Sequence, residues 1–450
     1  MPTGEDTDQI QPSLATATTS DGQLWIIAGY TDLSAPDLSR MGLSLRAPDG
    51  TWSQYPPLVP DSEAFRPAGD AWLASAQNGG QAYYVSLLDT VNHPVASDEV
   101  GDGLALAVID VRGGTPQIRA PRRIDFGAWP SWDEPTIAAT HPPGAVADTI
   151  IVAGTPLGPD TQDVVAVLVS RNGGESFHYA GAQIHAPQYP GHASGAPDNT
   201  LVRPFLQQDP RPGQECHAYL AFGVYYATAL AATKNVKPPA CQNEPNGCRS
   251  LAETQTHDCG ETWDEPVFIA VDTGEPSGED YRGFSYAVAN DGTRFVLFGD
   301  EDVADAPILL KRTAPDARFA VMVGNRWDDG PMETIASGPA ADGTQVRRWR
   351  PTLAASDRVA ALWIQESATS HASAVWMSSS PTAAPSWSAA QWIDHAGVAC
   401  DGVTFPSDDY MGVVPEAPFG TTATTFVVAW APFAACGTKM PRRIQFKSVR

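Results

Sequence analysis

The stretch Glu134–Thr155 reads EPTIAATHPPGAVADTIIVAGT. A run with small residues, EPTIAAT, is followed by a Pro/Gly turn and then by a strongly apolar run, DTIIVAGT. Short β-branched runs bounded by turn residues read as buried strands, and two of them around a Gly/Pro segment read as a hairpin. The same pair returns along the chain. PSLATAT and QLWIIAGYT begin at Pro12 and Gln23; DAWLAS and QAYYVSLLD begin at Asp70 and Gln81. LVRPFLQ and HAYLAFGVYY begin at Leu201 and His217; FSYAVA and RFVLFGD begin at Phe284 and Arg294. PTLAAS and VAALWIQ begin at Pro351 and Val359; YMGVV and TFVVAWAP begin at Tyr410 and Thr425.

Units that start near 12, 70, 134, 201, 284, 351 and 410 leave room for four short strands and their loops. A four-stranded sheet with two apolar faces cannot stand alone, and radial packing buries both faces. Small residues in each first strand suit a crowded central channel. The sequence therefore predicts an all-β, seven-bladed β-propeller of antiparallel blades, one domain over residues 1–450, with a six-bladed ring as the alternative. The last unit holds only three strands before Arg450, which makes the N-terminal segment 1–10 the candidate for closing the ring.

Composition agrees with this reading. The 39 Gly and 40 Pro are spread along the length and supply turns, and 42% hydrophobic residues supply a core. A net charge of −24 argues against nucleic acid, which needs a basic field. No apolar run is long enough for a membrane span. Six Cys, without a CxxC or Cys/His array, suggest disulfides and an oxidising compartment, hence secretion or a periplasmic location. The polar start Met1–Gln11 reads as a mature N-terminus with no signal peptide. Strand geometry pairs Cys216 with Cys259 at adjacent strand ends, Cys241 with Cys248 in a small loop, and Cys400 with Cys436 in the last unit. The long insertion at about 229–250, with Lys234 and Lys237, is expected to overhang the channel mouth.

Two segments carry a sharper pattern. Thr256-His257-Asp258-Cys259-Gly260-Glu261-Thr262-Trp263 matches S/T-x-D-x-G-x-T-W, and Ser170–Phe177 matches with Asn172 for Asp and Phe177 for Trp. The carboxylate or amide caps a tight turn, Gly takes a positive φ, and the aromatic packs between sheets. This resembles the Asp-box, or BNR, repeat of sialidase-like propellers found in secreted bacterial proteins. Asp133–Ala138 and Asp409–Val413 look like blade openings of the same proteins. The Asp box is itself structural, and a fold names no activity.

In such a ring, residues that open each first strand converge at one channel mouth. Here these are Arg66 and Asp70, Asp133 and Glu134, Arg203, Tyr281 and Arg282, Arg350, then Asp408, Asp409 and Tyr410. Arg forks bind carboxylates bidentately. Phe65-Arg66-Pro67 is similar to the phrase holding the first Arg of sialidases. The resemblance implies Arg66, Arg203, Arg282 and Arg350, with Asp409, as substrate-binding residues. It implies Tyr281 or Tyr410 as nucleophile with Glu134 as its base, and Asp70 or Asp133 as the acid. The chain departs from that family in blade number and in the place of its first Arg. Three readings follow: a glycosidase or lyase working on an acidic glycan or glycoconjugate, a non-catalytic propeller that binds glycan or protein, or a ring closed by Arg–Asp pairs. Carboxylates at the mouth are also oxygen ligands for Ca²⁺, the one cofactor the sequence suggests. A monomer is expected. HExxH, GxSxG, Walker and GxGxxG motifs are absent, and the scattered His, among them His141 and His217, read as surface residues.

Overall fold

The computed structural model describes residues 9–35, 38–60, 65–90, 101–125, 131–157, 164–181, 183–185, 199–226, 248–271, 284–299, 317–323, 326–327, 333–336, 346–367, 370, 372–383, 386–398, 411–431 and 444–450. Among the described residues every regular element is a strand, and no helix is long and apolar enough to cross a membrane.

The described strands form seven antiparallel sheets in chain order. Sheet one joins Gln9–Thr18, Leu24–Ala35, Leu38–Arg46 and Trp52–Gln54. Sheet two joins Phe65–Ser75, Gln81–Thr90, Gly103–Asp110 and Gln117–Arg123. Sheet three runs from Ser131–Thr140 through Thr149–Leu157 to Val164–Ser170, which two short strands flank. Sheet four joins Asn199–Gln208, Ala218–Tyr226, Cys248–Thr256 and Val267–Val271. Sheet five starts with Phe284–Val288 and Arg294–Gly299, and sheet six with Val346–Ala355 and Arg358–Ser367. Sheet seven has three strands among the described residues, Gly412–Pro415, Phe426–Trp430 and Gln445–Val449.

Each first strand touches the first strand of the next sheet, and the first strand of sheet seven touches that of sheet one. The sheets thus follow one another round a closed circle, which is a β-propeller. The core lies between neighbouring sheets. Ile27, Leu43 and Tyr84 pack sheet one on sheet two, and Ile151, Val167 and Phe222 pack sheet three on sheet four. First strands of neighbouring sheets share no backbone ladder, so side-chain hydroxyls replace it. Leu73 N–H donates to Ser13 Oγ at 3.0 Å, Leu206 N–H to Thr136 Oγ1 at 3.1 Å and Leu353 N–H to Ser285 Oγ at 3.0 Å. Small hydroxyl residues at these positions satisfy a buried donor without widening the channel.

The two turns that match the sharper pattern share one hydrogen-bond scheme. Gly174 N–H donates to Ser170 Oγ at 2.9 Å and Ser176 N–H to Asn172 Oδ1 at 3.0 Å. Gly260 N–H donates to Thr256 Oγ1 at 2.9 Å and Thr262 N–H to Asp258 Oδ1 at 2.9 Å. Phe177 and Trp263 pack into the clusters between sheets. Cys216 and Cys259 form the expected disulfide, with Cα atoms 4.2 Å apart. They sit just past adjacent ends of the second and third strands of sheet four, where Cys259 N–H also donates to Cys216 O at 2.9 Å. Cys241, Cys400 and Cys436 lie outside the described residues, as does the side chain of Cys248, and of the insertion at 229–250 only 248–250 are described, as the start of the third strand of sheet four. His217 departs from its surface reading: it is buried, with Nδ1 2.9 Å from Asp209 Oδ2.

Candidate functional site

Five first strands carry the same irregularity near their start. Pairing with the second strand skips two residues on the first strand against one on the second: between Ile10 and Ser13, Gly69 and Trp72, Asp133 and Thr136, Val202 and Phe205, and Trp349 and Thr352. This is a β-bulge, which bends a strand and re-aims a side chain. The skipped pairs are Gln11-Pro12, Asp70-Ala71, Glu134-Pro135, Arg203-Pro204 and Arg350-Pro351. Proline fits the second place because a bulged residue gives up its ladder bond anyway.

In four of these pairs the first residue is left-handed. Gln11, Asp70, Glu134 and Arg203 have φ of 53°, 49°, 48° and 49°. This conformation costs a non-glycine residue about 1–3 kcal/mol and persists where surrounding contacts enforce it. The contacts run from sheet to sheet. Asp70 N–H donates to Gln11 Oε1 at 3.1 Å, and Gln11 Nε2 returns a bond to Asp70 Oδ1 at 3.0 Å. Glu134 N–H donates to Asp70 Oδ2 at 3.3 Å, and Arg203 N–H donates to Glu134 Oε2. The side chains of Gln11, Asp70 and Glu134 therefore each hold the backbone of the next bulge, and all four residues are buried.

Two residues further along, the first strands of sheets two and four carry aromatic residues, Trp72 and Phe205. Trp72 meets Phe205 edge-on at 5.3 Å, and Phe205 meets Phe284 at 5.0 Å. These rings come from sheets two, four and five, so Trp72 and Phe205 meet in front of sheet three, whose residue at this level is Thr136. The Arg203 guanidinium lies 5.6 Å from the Phe205 ring centre. Beyond this layer, towards the far ends of the first strands, is a cavity of about 140 Å³ lined in part by Leu14, Leu73, Ile137, Leu206 and Leu353.

Of the expected site residues, Asp70, Glu134 and Arg203 are thus joined by hydrogen bonds. Asp133 precedes Glu134 and is partly exposed. Arg66 ion-pairs at 3.8 Å with Asp89, its cross-strand partner in sheet two. Beside it Arg123 forks onto Asp125 at 2.8 and 2.9 Å, with its guanidinium 5.0 Å from the Phe65 ring. Arg350 lies on the first strand of sheet six, but its side chain is outside the described residues, as are Tyr281, Arg282, Asp408, Asp409 and Tyr410 entirely. Among the described residues no three His, Cys, Asp or Glu side chains are grouped to hold a metal. Trp72 is one of the Trp residues expected to flank the channel mouth, for sugar stacking or for packing between blades, whereas Gln11, Phe205 and Phe284 were not expected. Gln11-Pro12 had a signal, the same residue-proline step as Glu134-Pro135 and Arg203-Pro204.

The arrangement combines a cation on an aromatic face, buried carboxylates and a ring platform. Phe205 and Phe284 are buried, so Trp72, partly exposed, is the ring of this layer that an apolar ligand face can reach.

No family model and no curated protein matches the sequence. Solved structures align with it along most of its length. An α-L-arabinofuranosidase from Fusarium graminearum is 11% identical, with 99% of this chain and 96% of that chain covered and a TM-score of 0.42. The polysaccharide lyase Uly1 is 9% identical, with 94% and 87% covered and a TM-score of 0.48. A Hadza microbial sialidase is 15% identical, with 79% and 63% covered and a TM-score of 0.43.

Proposed function

We propose that the protein is a secreted, glycan-active propeller of the sialidase-like, Asp-box kind: a single domain that acts at its channel mouth on an acidic carbohydrate as a glycoside hydrolase or lyase. The observation that carries this reading is the chain of left-handed bulges that gathers Asp70, Glu134 and Arg203 over Trp72 and Phe205. Four consecutive sheets keep a strained backbone at one level, and such strain clusters at functional sites. Arg203, with Arg66, Arg282 and Arg350, would clamp a sugar carboxylate, and Asp409 would bind a hydroxyl. Tyr281 or Tyr410 would be the nucleophile, its phenol activated by neighbouring cations and by Glu134 as base. Asp70 or Asp133 would be the acid. A monomeric protein is part of the proposal, and Ca²⁺ is left to the chelator test, because the described residues bring no three ligands together. The disulfide Cys216–Cys259 supports the secreted location.

A second reading, a non-catalytic glycan-binding module, draws on Arg66. Its pairing with Asp89 inside one sheet is what a structural arginine does. Incubation with a panel of acidic polysaccharides, with and without chelator, separates the readings. New reducing ends without unsaturated uronic ends indicate a hydrolase, and the two together indicate a lyase. Binding with neither product would leave the module reading, and loss of turnover with chelator would support the metal.

A further inference from the structure

We propose that the hairpin connection 416–425 of sheet seven is a strap that closes the far mouth of the channel, so that a ligand of sugar size enters and leaves by the bulge mouth alone. The first strands run side by side in one direction, as the parallel bridge of Ala76 to Ala139 shows for sheets two and three. Their connections to the second strands therefore crown the far mouth together. A hairpin loop is usually about 2–5 residues long. The two longest of these connections are 416–425 in sheet seven and 209–217 in sheet four. Sheets four and seven stand on opposite sides of the ring, yet these connections touch. Gly420 packs on Pro210, where a Cβ on Gly420 would stand 3.5 Å from Pro210 O. A contact between opposite sides of a ring crosses its axis. Pro418, Phe419 and Gly420 accordingly line the cavity of about 140 Å³, beside Pro210 and Asn290.

The strap is tied along its length. At its base Glu416 pairs with Arg46 of sheet one. Near its tip Asn290 Nδ2, from the connection in sheet five, donates to Thr421 O at 3.0 Å. On its return Ala423 N–H donates to Asp357 Oδ1, from the connection in sheet six, at 2.9 Å. The tip is a tight turn: Thr421 N–H donates to Pro418 O at 3.1 Å, and Gly420 between them has φ 71°. Glycine takes that φ without strain, and its bare Cα lets the turn lie on Pro210. The connection beneath is rigid as well. Asp209, its side chain fully buried, accepts Arg211 N–H at 3.0 Å, Arg211 Nε at 2.9 Å and Tyr219 O–H at 3.2 Å. The disulfide of Cys216 anchors the other end of that connection. A crossing held by sheets one, four, five and six leaves the channel blind at this end. The strap does not depend on what the bulge mouth binds.

The test is thiol labelling inside the cavity with fluorescein maleimide, a reagent larger than a monosaccharide. Gln207, partly exposed, lines the cavity from the first strand of sheet four. Gln207→Cys is made in the otherwise unchanged chain, in a chain with 416–425 replaced by Asn-Gly, and in Gly420→Val, whose β-branched side chain opposes the turn. The rate of each chain without Gln207→Cys is subtracted. With the strap intact, Gln207→Cys should react at least about tenfold more slowly than in either variant, the hold of one or two hydrogen bonds. Equal rates in all three would overturn the proposal, and if the shortened chain does not fold, Gly420→Val decides alone. Ala166→Cys, buried on the third strand of sheet three, reports general loosening. An acceleration there that matches the one at Gln207→Cys would overturn the proposal too. No glycan enters this assay, so a failed strap and a failed glycan site are told apart by the labelling rates and the polysaccharide panel.

Discussion

Four residues with unlike side chains, Gln11, Asp70, Glu134 and Arg203, share one backbone state and one chain of bonds. The charged members could be read from the sequence because they open repeated strands. Gln11 could not, because an uncharged amide gives no signal in a search for charge. The left-handed φ was equally hidden: none of the four is Gly or Asn, and tertiary bonds rather than local preference enforce it. A second buried group was also illegible. Glu253 and Arg294 ion-pair between sheets four and five, with Tyr286 O–H on Glu253 Oε2 at 2.9 Å and Arg294 4.4 Å from the Tyr219 ring centre. Burial pushes the Glu253 carboxyl up from the usual 4.5 to about 7, against the pull of Arg294 and Tyr286. The folded protein therefore keeps a proton there that the unfolded chain has already lost. The stability this contributes is full below pH about 4.5 and is lost as pH rises through about 7. Melting temperature should fall across that window in wild type, and Glu253→Gln should flatten the fall. An unchanged slope in the variant would show that Glu253 is not the group that titrates.

At the scale of elements, the short apolar runs and their turn residues were legible because period and punctuation are local properties. The disulfide was legible for a related reason: adjacent ends of antiparallel strands bring Cys216 and Cys259 together. It ties the turn at Thr256–Trp263 to the loop before Ala218, across a sequence separation of 43. A cross-link of that span restricts the unfolded chain by about 2–4 kcal/mol. Cys216→Ser should lower stability to urea by that amount with the sheets intact by circular dichroism, and a smaller loss would mean that packing around Cys259 holds the turn by itself. The contact of Trp72 with Phe205 was not legible. Trp72 and Phe205 belong to sheets that are not neighbours, and only the curvature of the whole ring brings them together.

The whole ring closes where sheet seven meets sheet one. Trp52 stacks on Phe446 with ring centres 3.9 Å apart, Arg46 pairs with Glu416, and Ile444 N–H donates to Gln9 Oε1 at 3.1 Å. These contacts join the two ends of the chain, so a loss there loosens the circle as well as one contact. Trp52→Ala should cost about 1–3 kcal/mol and should increase hydrogen exchange in sheets one and seven before the others. Uniform protection across the sheets would contradict this view of the seam. The central claim is that the bulges exist to present a glycan site. It is tested most directly by isothermal titration of wild type, Arg203→Ala and Glu134→Gln against the same panel of acidic oligosaccharides. The account predicts that wild type binds at least one of them, and that each substitution weakens that binding at least about tenfold, the loss of one charged hydrogen bond, while the melting transition stays cooperative. Binding that both variants retain at full strength, or none by wild type, would contradict it.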